Sequence, residues 1–280
     1  MMLSPNTLDF GECHVMAIVN VTPDSFYAAS RMAASNDVAQ AVCRAVEAGA
    51  TIVDIGGYSS RPGADDVPLE EEWRRVDMAL GAISALKQGV VVSIDTFRSE
   101  IVRRAVEGYG AVIVNDISAG EQDAEMFRTV AHYGLPYVAM HMRGVPETMQ
   151  SLTDYEDGVV ADVKRYFEVR IKQLLAAGVR RENIILDPGF GFAKSVEQNY
   201  QLMRGLGELR SLGYPLLVGV SRKSMIYKPL GVGPEEALAG SLALGWEALR
   251  QGATILRVHD VAATRQIVDI FEIYKSRNND

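Results

Sequence analysis

The stretch ATILRVHDVAA, residues 253–263, changes character halfway along. Residues 253–256 read as a strand buried on both faces, and Arg257, His259 and Asp260 follow within four positions. A buried charge without a partner is costly, so an apolar strand running into three ionisable groups has two explanations. Either a structural ion pair sits there, or an anion is held there. What the other strands end in decides between them.

Seven further runs rich in Val and Ile precede this one: VMAIVN, TIVDIG, VVVSID, AVIVND, YVAMHM, NIILDP and LLVGVS. Runs of this length without alternation suit a parallel sheet covered on both faces. From Asn20 to Val258 they recur about every 34 residues, the size of a βα unit, and eight such units close a barrel of roughly 250 residues. The segments between them carry helical periodicity. Leu69, Trp73, Val76, Leu80 and Ile83 share one face, behind Pro68 and three glutamates that suit a helix start. Val163, Phe167, Ile171 and Leu174 repeat the pattern ahead of Gly178, a C-cap residue. AVEAGATIVD, AVEGYGAVIVND and ALRQGATILRV resemble one another as helix end, glycine and strand. The expectation is an α/β protein, a (β/α)8 TIM barrel, with residues 1–280 as a single domain. A doubly wound open sheet is the alternative.

The 280 residues are 48% hydrophobic and 23% charged, with a formal net charge of −8 and a pI near 5.2. An acidic chain has no general electrostatic reason to bind nucleic acid or an anionic membrane, so any anion must meet a local cluster of cations. Cys13 and Cys43 form no CxxC and no paired-histidine pattern, which argues against a disulfide scaffold or a cysteine-rich zinc site. No signal-peptide pattern and no apolar run of about 18 residues is present. The expected location is cytoplasmic.

In a barrel of this type, functional residues lie on loops leaving the C-terminal strand ends. Those ends carry Asn20, Asp54, Asp95, Asn115 with Asp116, His141, Asp187, then Ser221, Arg222 and Lys223, and finally Arg257 with His259. Eight polar ends on one face are hard to explain by packing alone. Asp54 and Asp116 precede turn-forming sequence, so a backbone-bonding role stays open for both. For His141 a satisfied core histidine is the alternative. GFGFAKS lacks the GxxxxGK[ST] spacing, and Lys194 stands where a dinucleotide fingerprint needs glycine. No Ser or Cys is convincingly paired with His. Carboxylates, amides and cations without a nucleophile suit an enzyme that positions two substrates.

NVTPDSF, DIGGYSSRPGA, SIDT, VNDISAG, MHMRG, LDPGFGF with Lys194, and LVGVSRKSMI, in this order and over essentially the whole chain, resemble the dihydropteroate synthase family. The resemblance implies a (β/α)8 barrel that condenses hydroxymethyl-dihydropterin pyrophosphate with para-aminobenzoate, with Mg²⁺ assisting. It implies a homodimer and a sulfonamide target. Asp95, Asn115, Asp187, Lys223 and Arg257 would hold the pterin, with Ile117 and Met140 as its apolar wall. Asn20, Arg61, Arg257 and His259 would hold the pyrophosphate, and Asn20 would also reach Mg²⁺. Phe26, Ser60, Arg61, Pro62, Phe192, Lys223 and Ser224 would surround the aminobenzoate. The implied catalytic set is Asp95, Lys223, Arg257 and Asn20. Departures from the family pattern fall at Ala17, at residues 27–30, at Tyr58 and Ser60, and at Ala193, where a glycine is expected. A pterin-dependent methyltransferase and a non-catalytic pterin binder are the competing readings; the SSRPGA and SRKS elements argue against the first, and intact Asn20, Arg61, Lys223, Arg257 and His259 against the second.

Overall fold

Every one of the eight apolar runs forms a barrel strand in the computed structural model, which describes residues 2–21, 31–58, 67–87, 89–144 and 148–276. The strands are β1 (His14–Asn20), β2 (Ile52–Gly56), β3 (Val90–Asp95), β4 (Ile113–Asp116), β5 (Tyr137–Met140), β6 (Ile184–Asp187), β7 (Leu217–Val218) and β8 (Ile255–Val258). Helices α1 (Arg31–Glu47), α2 (Leu69–Ser84), α3 (Ser99–Tyr109), α4 (Met126–Tyr133) and α5 (Val159–Ala176) alternate with them. After β6 come α6 (Val196–Arg204) and α7 (Leu206–Arg210); after β7, α8 (Ser224–Leu230) and α9 (Leu238–Arg250); after β8, α10 (Val261–Ser276). All pairings are parallel, β1 joins both β2 and β8, and a Leu186–Leu216 bridge links β6 to the approach of β7. The sheet closes on itself, which rules out the doubly wound alternative.

Alternation along the strands separates two kinds of interior. Met16, Ile52, Val91, Ile113, Val138, Ile185, Leu217 and Ile255, one from each strand, form a single buried layer inside the barrel with Phe10, and Leu3 and Leu8 pack against it. This seals the N-terminal end. A short strand, Met2–Leu3, pairs with Val90 and Val91 and fixes the plug; the sequence reading did not anticipate it. The intervening residues, among them Val53, Ile55, Val92, Ile94, Val114, Tyr137 and Leu186, face the helices and build the larger core.

Parity then assigns each strand-end residue to a side. Two residues beyond the sealing layer lie Ile18, Asp54, Ser93, Asn115, Met140, Asp187 and Arg257, and beyond those Asn20, Gly56 and Asp95, all on the inward face. Asp116 has the opposite parity. It is fully buried outside the barrel wall, where its carboxylate accepts bonds from the Ser118 and Gly120 backbone, the Ser118 hydroxyl and Tyr137 Oη (2.7 Å). Burial pushes Asp116 upward, and these hydrogen bonds oppose the shift. Its role is to brace the turn after β4.

The loops obey ordinary backbone chemistry. Three glutamates occupy the first turn of α2, Gly134 ends α4 in the left-handed region, and Ser195 with Gln198 forms a capping box at α6. Among the described residues no helix is long and apolar enough to cross a membrane. Tyr137→Phe removes one bond to a buried carboxylate without changing packing volume. It should lower the unfolding free energy by about 1–3 kcal/mol in a urea titration, with pterin affinity unaltered.

Candidate active site

The open end of the barrel is built around Arg257. Its Nε donates to Asp54 Oδ2 at 2.7 Å and its Nη2 to Asp95 Oδ2 at 2.8 Å, reaching across from β8 to β2 and β3. Asp54 is fully buried, and the same Oδ2 accepts from Asn115 Nδ2 at 3.1 Å. One carboxylate therefore orients two of the proposed pterin-recognition groups. Sequence analysis left Asp54 undecided; its inward parity, shared with Ile52, is the signal that separates it from Asp116. Burial pushes Asp95 up to about 7, with the carboxylates of Asp54, Glu72 and Asp116 adding and Arg257 opposing. Arg257 itself is held above its ordinary value, because the attraction of Asp54 and Asp95 outweighs its own desolvation.

On the other side of the lumen, Asp187 is buried and accepts from the Gly189 backbone N–H at 2.8 Å. Desolvation raises its pKa, while Lys223, Gly189 N–H and Arg257 pull it back. Lys223 Nζ donates to the Phe190 carbonyl and lies 4.7 Å from the centroid of the Phe192 ring. Enclosure lowers Lys223 to about 8, against the attraction of Asp187. Ile117, Met140, Met142, Met149 and Ala193 form a buried apolar cluster with Phe97 and Phe192 packed on it. Met140 is the register partner of Asp187, which sets this apolar wall beside the carboxylate. Ser224, the first residue of α8, is half-buried immediately after Lys223.

Two of the residues expected to hold the pyrophosphate, His259 and Asn20, stand at the ends of β8 and β1. His259 is exposed at the end of β8, with its backbone N–H on Ser221 Oγ (3.2 Å) and its Nδ1 3.1 Å from the same oxygen. Asn20 lies across Gly56, where a β-carbon would approach both Asn20 Oδ1 and Asp95 Cβ at 3.7 Å; a larger residue would cover them. Arg222 takes no part in the lumen. It pairs with Asp260 through two 2.8 Å bonds and reaches the Pro234 and Glu235 carbonyls, tying two loops together. The three ionisable groups of the opening stretch thus divide: Arg257 inward, Asp260 onto Arg222, His259 at the rim.

Phe26, Ser60, Arg61 and Pro62 lie outside the described residues, as do the departures at residues 27–30. The borders of the second loop are firmly tied. Arg75 donates to the Gly57 carbonyl (3.0 Å) and Arg98 to the Val67 carbonyl (2.8 Å), while buried Glu72 accepts from both Arg98 and Thr96. Tyr58 meets Phe97 edge-on at 5.2 Å. His141 faces away from the lumen, against Tyr166 and Lys194. Ala193 has φ +50°, in the left-handed region where glycine is the easier residue, which accounts for the glycine expected there.

Fold and site together describe a TIM-barrel-type protein with a polar, charge-paired mouth above a sealed core. Residues 16–259 match the family described as "Pterin binding enzyme". The chain is 45% identical over 269 residues to the dihydropteroate synthase of Escherichia coli K12, covering 95% of this chain and 93% of that protein. The Xanthomonas albilineans dihydropteroate synthase solved with 4-aminobenzoic acid superposes with a TM-score of 0.87 at 40% identity, over 96% of this chain and 95% of that one. The Clostridium difficile dihydropteroate synthase solved in the presence of pteroic acid gives 0.89 at 35% identity, over 95% and 98%. The chain belongs to the dihydropteroate synthase family of pterin-binding enzymes.

Proposed function

We propose that the chain joins hydroxymethyl-dihydropterin pyrophosphate to para-aminobenzoate, forming dihydropteroate and releasing pyrophosphate, with residues 1–280 working as one barrel domain. The observation that carries this reading is the convergence of Asp95, Asn115, Asp187, Lys223 and Arg257 at one mouth, in a chain that matches the family over residues 16–259. Asp187, Asn115 and Asp95 meet the guanidine-like donor edge of the pterin, and Lys223 donates to its acceptor side. The flat Arg257 guanidinium lies against the ring face.

The reaction needs no protein nucleophile. The methylene C–O bond breaks with its electron pair leaving on pyrophosphate, and the cation is delocalised into the pterin. The aromatic amine is unprotonated near neutral pH; its lone pair forms the new C–N bond, and its proton is then released. The protein's contribution is positioning and charge: the Asp95 carboxylate offsets the cation, while Arg257, His259, Asn20 and Arg61 hold the leaving group. Phe192, Ser224 and Lys223 border the aminobenzoate, together with Phe26, Ser60, Arg61 and Pro62.

Among the described residues no cluster of three or more His, Cys, Asp or Glu side chains could hold a metal ion. Asn20 supplies a single hard oxygen donor at the anion side, a set that fits Mg²⁺ arriving on the substrate's phosphates and keeping most of its waters. Mg²⁺ would neutralise charge on the departing pyrophosphate. A homodimer is part of this reading: Ile270, Ile273 and Tyr274 are exposed on α10, beside the Trp246–Phe271 contact, and a second copy would cover them.

Purified protein given the pterin pyrophosphate and Mg²⁺ should release pyrophosphate in step with dihydropteroate only when para-aminobenzoate is added. Tight pterin binding without product would support a non-catalytic binder. EDTA should abolish turnover and added Mg²⁺ restore it, while calorimetric affinity for the pterin alcohol, which lacks phosphate, stays unchanged. The pH profile follows from the shifted pairs. Asp95 acts as a carboxylate, so activity rises through about 7; Lys223 acts as an ammonium, so activity falls through about 8. Measured kcat/KM should trace a narrow bell between those limbs, and Lys223→Gln should flatten the alkaline one.

A further inference from the structure

The loop after β6 carries Asp187 and Phe192, and the Phe190 carbonyl that receives Lys223; a single backbone bond, Phe192 N–H to the Gly189 carbonyl at 3.1 Å, closes a tight turn within it. Gly189, Gly191 and Ala193 all have positive φ, at +68°, +83° and +50°. Gly189 presses so closely on β5 that a β-carbon there would stand 2.0 Å from the His141 carbonyl oxygen. A side chain that reaches the Gly189 and Phe192 carbonyls and the end of β5 can hold this shape.

We propose that Lys194 is a positioning residue for the reaction proposed above, clamping this loop onto the end of β5 and thereby setting Asp187, Phe192 and Lys223. Lys194 is 4% exposed. Its Nζ donates to the Phe192 carbonyl at 2.9 Å and the Gly189 carbonyl at 3.0 Å, and lies 2.9 Å from His141 Nδ1. Two carbonyl oxygens and one imidazole nitrogen surround the amine, as many polar partners as it has hydrogen-bonding positions. Among the described residues no carboxylate forms an ion pair with it. Burying an amine this deeply is unfavourable, and desolvation pushes Lys194 well below the ordinary lysine range. An apolar side chain would fill the space, but it could not satisfy two loop carbonyls and a histidine at once.

Each arm ends one step from a site group. The N–H of Gly189 holds Asp187 Oδ1, and Phe192, whose backbone carbonyl Lys194 holds, carries the ring that faces Lys223 Nζ. Tyr155 Oη on the Ala193 carbonyl (2.9 Å) and Asn199 Oδ1 on the Gly191 N–H (2.7 Å) brace the outer side. His141, open between ligand and core roles in sequence, acts as the fixed end of the clamp.

The test compares wild type, Lys194→Met and His141→Phe as full chains, with kcat, both KM values, calorimetric pterin affinity and a thermal melt for each. Losing the three arms in Lys194→Met should raise both KM values and the pterin Kd at least about tenfold, with kcat falling much less. His141→Phe removes one arm and keeps the two carbonyl arms, so about a threefold rise is expected. Unchanged KM and Kd in either folded variant would overturn the proposal. So would a loss confined to kcat that tracks the folded fraction, since that is the mark of a merely structural lysine. If Lys194→Met does not fold, His141→Phe alone decides. A wild type that binds pterin but makes no dihydropteroate would sink the synthase reading, whereas the variant-to-wild-type ratio of pterin Kd would still judge the clamp.

Discussion

Arg257 lies inside a closed barrel, between two carboxylates on strands far from it in sequence, and the mouth of the protein is arranged around keeping that charge partnered. Removing a guanidinium from water costs several kcal/mol unless hydrogen-bonded carboxylates compensate. Asp54 and Asp95 do this from β2 and β3, and Asn115 shares Asp54. The arrangement fixes the plane of the guanidinium before any ligand enters. It also leaves one cation facing two carboxylates, a surplus of acceptors at the mouth.

Two opposed demands meet in one barrel. Its N-terminal half is a dry layer of eight aliphatic side chains closed by Phe10, and its C-terminal half is polar. A rigid apolar floor lets groups only two residues further along each strand hold fixed positions, because neither the strand register nor the layer can shift without exposing the core. The loops then need separate support. Arg75 and Arg98 tie the borders of the second loop, Arg222 joins the last two, and Lys194 holds the one after β6. Four cations of an acidic protein thus hold backbone carbonyls and neighbouring loops.

The barrel was legible because eight apolar runs at nearly constant spacing leave few other ways to bury a parallel sheet. The inward polar residues of the mouth were legible as strand ends, and the family resemblance is what proposes them as pterin contacts. Sidedness was harder. Asp54 and Asp116 look alike as strand-end aspartates, and only counting in twos from the sealing layer sends one to Arg257 and the other to Tyr137. Arg222 and Lys223 are adjacent, yet positive φ at Arg222 turns its side chain outward to Asp260. The clamp role of Lys194 was invisible, because its partners are backbone carbonyls, which carry no side-chain signature. The Met2–Leu3 strand escaped notice because two residues show no periodicity.

The central claim is that Arg257 serves the pterin face and the pyrophosphate together, beyond its role as a structural ion pair. Calorimetric titration of wild type and Arg257→Met with pterin pyrophosphate and, separately, with inorganic pyrophosphate and Mg²⁺ tests it most directly. Both affinities should fall by at least about tenfold in the variant, the loss of a charge-assisted contact of roughly 1.5–3 kcal/mol. Wild-type affinity for both ligands in a folded Arg257→Met protein would mean that the arginine only balances Asp54 and Asp95, and the account of the site would be wrong.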